Sequence, residues 1–147
     1  MPENIPLSLT LLYPFAPVDE VDSHRETLRS FFASYEPFVL VLDRLEQWDE
    51  DGAVYAAPSP EEPLRRMMRA LWRLFPQFPP YRKEGIDPPP HASLTETGGD
   101  DPGATRKRAE QRLEGLLPAR IPIDEVTLME EFEPDRWRVR ETFRLGA

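Results

Sequence analysis

Apolar positions follow two rhythms along this chain, and the switches between them mark the elements. Residues 5–15 are mostly apolar, with Ser8 and Thr10 the exceptions. That predicts a strand buried on both faces near the centre of a sheet. Leu28, Phe31, Phe32 and Tyr35 recur at helical spacing behind Ser23-His24-Arg25-Glu26, which has the S-x-x-E form of a capping box, and Pro37 ends the helix. Residues 38–48 and 53–57 read as strands joined through Asp49-Glu50-Asp51-Gly52, whose last pair is a hairpin-turn signal. Ser59-Pro60-Glu61-Glu62 opens a second helix, with proline at the first helical position, where its missing N–H costs nothing. Leu64, Met67, Met68, Leu71, Leu74 and Phe75 form the buried stripe of that helix, and Arg65, Arg66, Arg69 and Arg73 its solvated face.

Beyond it, residues 90–95 predict a short strand, and residues 95–103, rich in Gly, Asp and Thr, a surface loop between two halves. Asp101-Pro102 starts a third helix running to residue 117, with Ala109, Leu113 and Leu116 facing inward. Residues 121–132 and 136–145 form a closing hairpin turned by Glu133-Pro134-Asp135. On its last strand Arg136, Arg138 and Arg140 alternate with Trp137 and Val139, opposite Glu131 and Glu133, which predicts cross-strand ion pairs on a solvated face. The order is strand, helix, two strands, helix, strand, helix, two strands. It predicts an α+β fold with mostly antiparallel sheet.

Composition narrows the chemistry. The chain has 147 residues, one domain over 1–147, and its 18 prolines sit where segments change. A net charge of −9 argues against a long nucleic acid bound over a broad surface, while a local basic cleft stays open. There is no cysteine, so disulfides, thiol catalysis and thiolate metal sites are excluded together. With two histidines, His24 and His91, a multi-histidine metal centre is excluded too, and no metal or cofactor is expected. No apolar run reaches membrane length and no basic-then-apolar leader opens the chain, so a cytoplasmic protein without a membrane partner is expected. Asp49-Glu50-Asp51 does not fit a calcium loop and reads as a hairpin tip. His24, in the first turn of a helix, is expected at the solvated surface.

An internal echo supplies the candidate chemistry. Ser8-Leu9-Thr10-Leu11 and His91-Ala92-Ser93-Leu94 share the form polar, apolar, hydroxyl, leucine. On strands, residues two apart share a face, so Ser8 aligns with Thr10 and His91 with Ser93. Two such strands side by side put one imidazole and three hydroxyls in one cleft, where a bound anion would satisfy them. The plainer readings stand beside this one: a satisfied histidine after a proline-rich turn, and small or β-favouring strand residues.

Ser8-Leu9-Thr10-Leu11-Leu12-Tyr13-Pro14-Phe15 resembles the first motif of the 2'-5' RNA ligase-like proteins of the 2H phosphoesterase superfamily, in which a histidine leads the stretch. Pro90-His91-Ala92-Ser93-Leu94 resembles the second H-x-[ST]-x motif. Phe78-Pro79-Pro80-Tyr81 and the ending Arg136-Trp137-Arg138-Val139-Arg140, then Phe143-Arg144-Leu145-Gly146, resemble members as well. The resemblance implies a bilobal fold of two pseudo-symmetric lobes around a cleft, and action without metal on 2',3'-cyclic phosphates or 2'-5' linkages at a small nucleotide or RNA end. It implies His91 as general acid and Thr10 and Ser93 as donors to phosphate oxygens, with Ser8 holding the attacking water. Tyr13 and Tyr81 fall within the resembling stretches and are expected to contact substrate, although either also fits a core or rim aromatic. The departure is Ser8 at the first histidine position, since a hydroxyl is no free base near neutral pH. A cyclic phosphodiesterase slowed by that loss, or a silent phosphate-binding or interaction module, is the expectation.

Overall fold

A computed structural model describes residues 9–48, 52–93, 102–112, 114–134 and 136–146. The described elements are α1 (Arg25–Ala33), β1 (Phe38–Gln47), β2 (Val54–Pro58), α2 (Glu62–Leu74), β3 (Ala92–Ser93), α3 (Pro102–Arg112), β4 (Ala119–Ile123), β5 (Glu125–Glu133) and β6 (Arg136–Arg144). Four strands make one sheet in the order β3-β2-β1-β4, β5 and β6 make a second, and the pairings among these described strands are antiparallel. The fold is α+β.

The central hairpin of β1 and β2 is built as its pattern predicts. Gly52, at φ 71°, takes the left-handed conformation the turn requires, and its N–H donates to the Trp48 carbonyl at 2.9 Å. Every residue of β2 is buried, because it runs between β1 and β3 with helices packed nearby. Leu64, Met67, Met68 and Leu71 of α2 meet Leu28 and Phe32 of α1, Leu40 and Leu42 of β1, and Phe143 and Leu145 at the chain's end in one apolar cluster. Helix α3 buries Thr105 and Ala109. It is tied to β1 by Arg106, which donates to the Leu45 carbonyl at 3.1 Å.

Several expectations are corrected. Residues 5–8 lie outside the described residues, and after an isolated bridge at Leu9 the chain bends instead of continuing as a strand. The Leu11 carbonyl there accepts from the Trp72 indole at 2.9 Å and the Tyr13 carbonyl from the Tyr81 N–H at 2.6 Å. Neither capping box forms. Ser23 donates back to the Glu20 carbonyl at 2.6 Å within a 3-10 turn (Val21–His24), and α1 begins after it with His24 as N-cap. Helix α2 starts at Glu62, so the proline of its first turn is Pro63 and not Pro60. Leu74 and Leu116 are exposed rather than inward, since α2 ends at Leu74 and α3 ends before Leu116; Leu113 lies outside the described residues.

Residues 121–132 are not one strand. The chain changes sheets at Asp124: Ile121 and Ile123 pair with Leu40 and Phe38 of β1, whereas Val126 and Leu128 pair with Phe143 and Glu141 of β6. On the closing hairpin the arginines do find acids. Arg136 pairs with Glu133 at 3.5 Å, and Arg138 and Arg140 reach the buried Glu130 at 2.6 and 3.2 Å. Arg140 continues to Asp22 at 3.1 Å, which fastens the hairpin to the 3-10 turn ahead of α1.

Candidate functional site

His91 sits where a proline run enters β3. Pro88, Pro89 and Pro90 cannot donate to a ladder, so the chain approaches the sheet extended, and pairing begins only at Ala92 and Ser93, against Ala56 and Tyr55 of β2. This puts the His91 ring inside, at 8% exposure, edge-on to Trp48 at 5.2 Å and to Tyr55 at 5.6 Å between centroids. A buried imidazole needs partners for both nitrogens. Nδ1 lies 2.7 Å from the Pro89 carbonyl oxygen and Nε2 lies 3.3 Å from the Tyr81 hydroxyl.

Those two contacts determine the ring's chemistry. A carbonyl oxygen only accepts, so Nδ1 carries the proton. In the neutral ring Nε2 then presents its lone pair and accepts from the Tyr81 phenol. The imidazole thus lies between the carbonyl that orients it and a hydroxyl.

Tyr81 is held unusually. It and Arg82 have φ of 53° and 58°, the left-handed region that side-chain-bearing residues rarely adopt. The N–H···O=C bond from Tyr81 to Tyr13 helps hold this turn, and the two rings lie 6.3 Å apart. Trp137 continues the row, 5.9 Å from Tyr13. Tyr81 is 40% exposed as a residue, yet desolvation raises its phenol above the usual tyrosine range. Burial raises the Tyr55 phenol likewise.

The segment between Tyr81 and His91 is anchored by residues expected to be merely solvated. Arg69 grips Asp87 with two nitrogens, at 3.1 and 2.5 Å, and Arg65 adds a contact at 3.1 Å. The hydrogen bond from Arg69 holds the Asp87 carboxyl below the usual aspartate range. Half of the arginine face of α2 is therefore a clasp on the loop that leads to His91.

Of the residues singled out in the sequence, the fold links His91, Tyr81 and Tyr13. Thr10 is exposed, on the segment whose carbonyls hold Trp72 and Tyr81. Ser8 and the side chain of Ser93 lie outside the described residues. His24 is not a free surface group: its ring packs edge-on against Phe15, Phe75 and Phe78 at 5.3–5.7 Å. The Tyr81–His91 contact and the Asp87 clasp were missed from sequence. The aromatic at the end of Phe78-Pro79-Pro80-Tyr81 was the one visible signal for the first, and the second gave none.

Among the described residues no group of His, Asp and Glu could hold a metal ion, and no helix is long and apolar enough to cross a membrane. Residues 2–133 match the family model described as the 2'-5' RNA ligase superfamily. That match spans the N-terminal octapeptide, His91 and β5, and stops where the closing hairpin turns. No curated protein matches the chain.

Proposed function

The chain belongs to the 2'-5' RNA ligase superfamily, and from that premise we propose that it binds and cleaves a small nucleotide phosphodiester, a 2',3'-cyclic phosphate or a 2'-5' linkage at an RNA end. The observation that carries this reading is the His91 ring, with Nδ1 committed to the Pro89 carbonyl and Nε2 left as a proton acceptor. His91 then serves as the base toward an attacking water, rather than as the acid that the resemblance alone implies. Thr10 and Ser93 donate to the non-bridging oxygens, and Ser8 holds the water. Tyr13 and Tyr81 line the substrate's approach in a cleft between two lobes. No metal or other cofactor takes part in this scheme.

The rate is expected to be low, because a positioned acid or base is worth roughly 10²–10⁴-fold and the first motif offers a hydroxyl in place of an imidazole. Turnover of 2',3'-cyclic nucleotides by the wild type and by His91→Ala tests the reading. Activity that disappears in His91→Ala supports it, and equal activity in the two proteins overturns it. A second reading, a silent phosphate-binding or interaction module, is favoured by one observation: both His91 nitrogens already have partners inside the protein. Phosphate binding without turnover would decide for it.

A further inference from the structure

Hydrolysis of a cyclic phosphodiester needs two proton transfers, one from the attacking water and one to the departing oxygen. The sequence supplies one imidazole at the motif positions. Among the described residues the group within hydrogen-bond reach of its accepting nitrogen is the Tyr81 phenol, at 3.3 Å. We propose that Tyr81 is the second acid–base group of this site, the acid that protonates the leaving oxygen. The assignment rests on the phosphodiesterase reading above.

Two observations converge on it. The phenol's contact is with Nε2 and not with Nδ1, so it meets His91 at the atom that works. Tyr81 and Arg82 hold two successive left-handed conformations, and strain of this kind persists where surrounding structure enforces it, often at functional sites. The Tyr81 N–H donates to the Tyr13 carbonyl within this turn, and the Arg65–Arg69 clasp on Asp87 holds the chain further on.

The protons balance. On substrate binding the Tyr81 phenol turns its proton from Nε2 to the ribose oxygen, which frees the Nε2 lone pair to take a proton from the water attacking phosphorus as the new P–O bond forms. The P–O bond to the ribose oxygen breaks, and that oxygen takes the Tyr81 phenol proton. The tyrosinate then recovers a proton from the imidazolium across the Oη–Nε2 contact, restoring both groups. One water is consumed, and no oxidant, reductant or metal is required.

The test compares Tyr81→Phe with wild type on two substrates: a 2',3'-cyclic nucleotide, whose alkoxide must be protonated to leave, and a nitrophenyl phosphodiester, whose phenolate leaves unaided. The expected result is a fall in kcat of roughly 10²–10⁴-fold on the cyclic nucleotide, little change in KM, and only a few-fold loss on the nitrophenyl ester. Phenylalanine keeps the ring against Tyr13, and an unchanged thermal melt confirms the fold. Equal losses on both substrates, or no loss on either, overturn the acid assignment and leave the phosphodiesterase reading in place. A wild type that turns over neither substrate overturns both.

Discussion

Leu71 and Leu74 lie three residues apart on one apolar stripe of α2, and by sequence pattern they are equivalent. The structure separates them: Leu71 is 4% exposed among Leu28, Met68 and Phe143 of the core, whereas Leu74 is 41% exposed. Leu71→Ala removes three carbons from a closed site, at about 0.8 kcal/mol each for transfer alone. The cavity left behind raises the total to about 3–4 kcal/mol, within the range known for buried leucines. Leu74→Ala takes the same atoms from a side chain already partly in water and should cost less than about 1 kcal/mol. Domains are held by only about 5–15 kcal/mol, so the first change removes a large share of the total. At about 2–4 °C per kcal/mol for this chain length, Tm should fall by roughly 6–16 °C in Leu71→Ala and by a few degrees at most in Leu74→Ala. Urea melts followed by tryptophan fluorescence give both free energies, with the slope checked for two-state behaviour. Similar losses in the two variants would refute the burial argument and show that the end of α2 is packed as the stripe alone implies.

Three further outcomes are expected. Asp87→Asn should differ from wild type in stability at neutral pH and converge with it in acid, because a carboxyl held below its ordinary range by Arg69 contributes above that range and loses its contribution as pH falls through the lowered value; acid melts that stay parallel would refute the clasp. Glu130→Ala should cost about 1–3 kcal/mol in a denaturant melt, since it strips Arg138 and Arg140 of charged hydrogen bonds to a buried carboxylate, and a neutral result would refute that role. Ser8→His should raise cyclic phosphodiesterase activity by up to roughly 10²–10⁴-fold, and a folded variant with no gain would show that a missing imidazole at position 8 is not what limits the rate.

How far the fold could be read depended on whether local pattern and tertiary packing agreed. The β1–β2 hairpin and the core stripe of α2 were legible because alternation, turn chemistry and burial all point the same way. The strand after residue 121 was misread, although its signal is present. Ile121 and Ile123 turn their apolar side on odd numbers, Val126 and Leu128 on even ones, and that slip at Asp124 is where the chain leaves one sheet for the other. The first segment failed for the opposite reason. Apolarity alone suits a strand, but the carbonyls of Leu11 and Tyr13 are claimed by Trp72 and Tyr81, and nothing local to residues 9–15 announces partners so far along the chain.

The same division runs through the site. His91 could be singled out in the sequence because a motif keeps its chemistry close together. Its partners were not, because each reaches it through backbone geometry. Pro89 meets Nδ1 with a carbonyl, which any residue could supply, and its side chain carries no information about the bond. Tyr81 reaches Nε2 from a left-handed backbone, and no side-chain preference predicts that conformation for tyrosine. Asp87 stabilises the intervening loop through arginines more than a dozen residues upstream, on a helix face whose charges look decorative when read alone. The consequence for mechanism is specific. On the proposal above, a phenol brought to an imidazole by a constrained turn gives that imidazole a proton partner, so the serine at position 8 lowers the rate without by itself abolishing turnover.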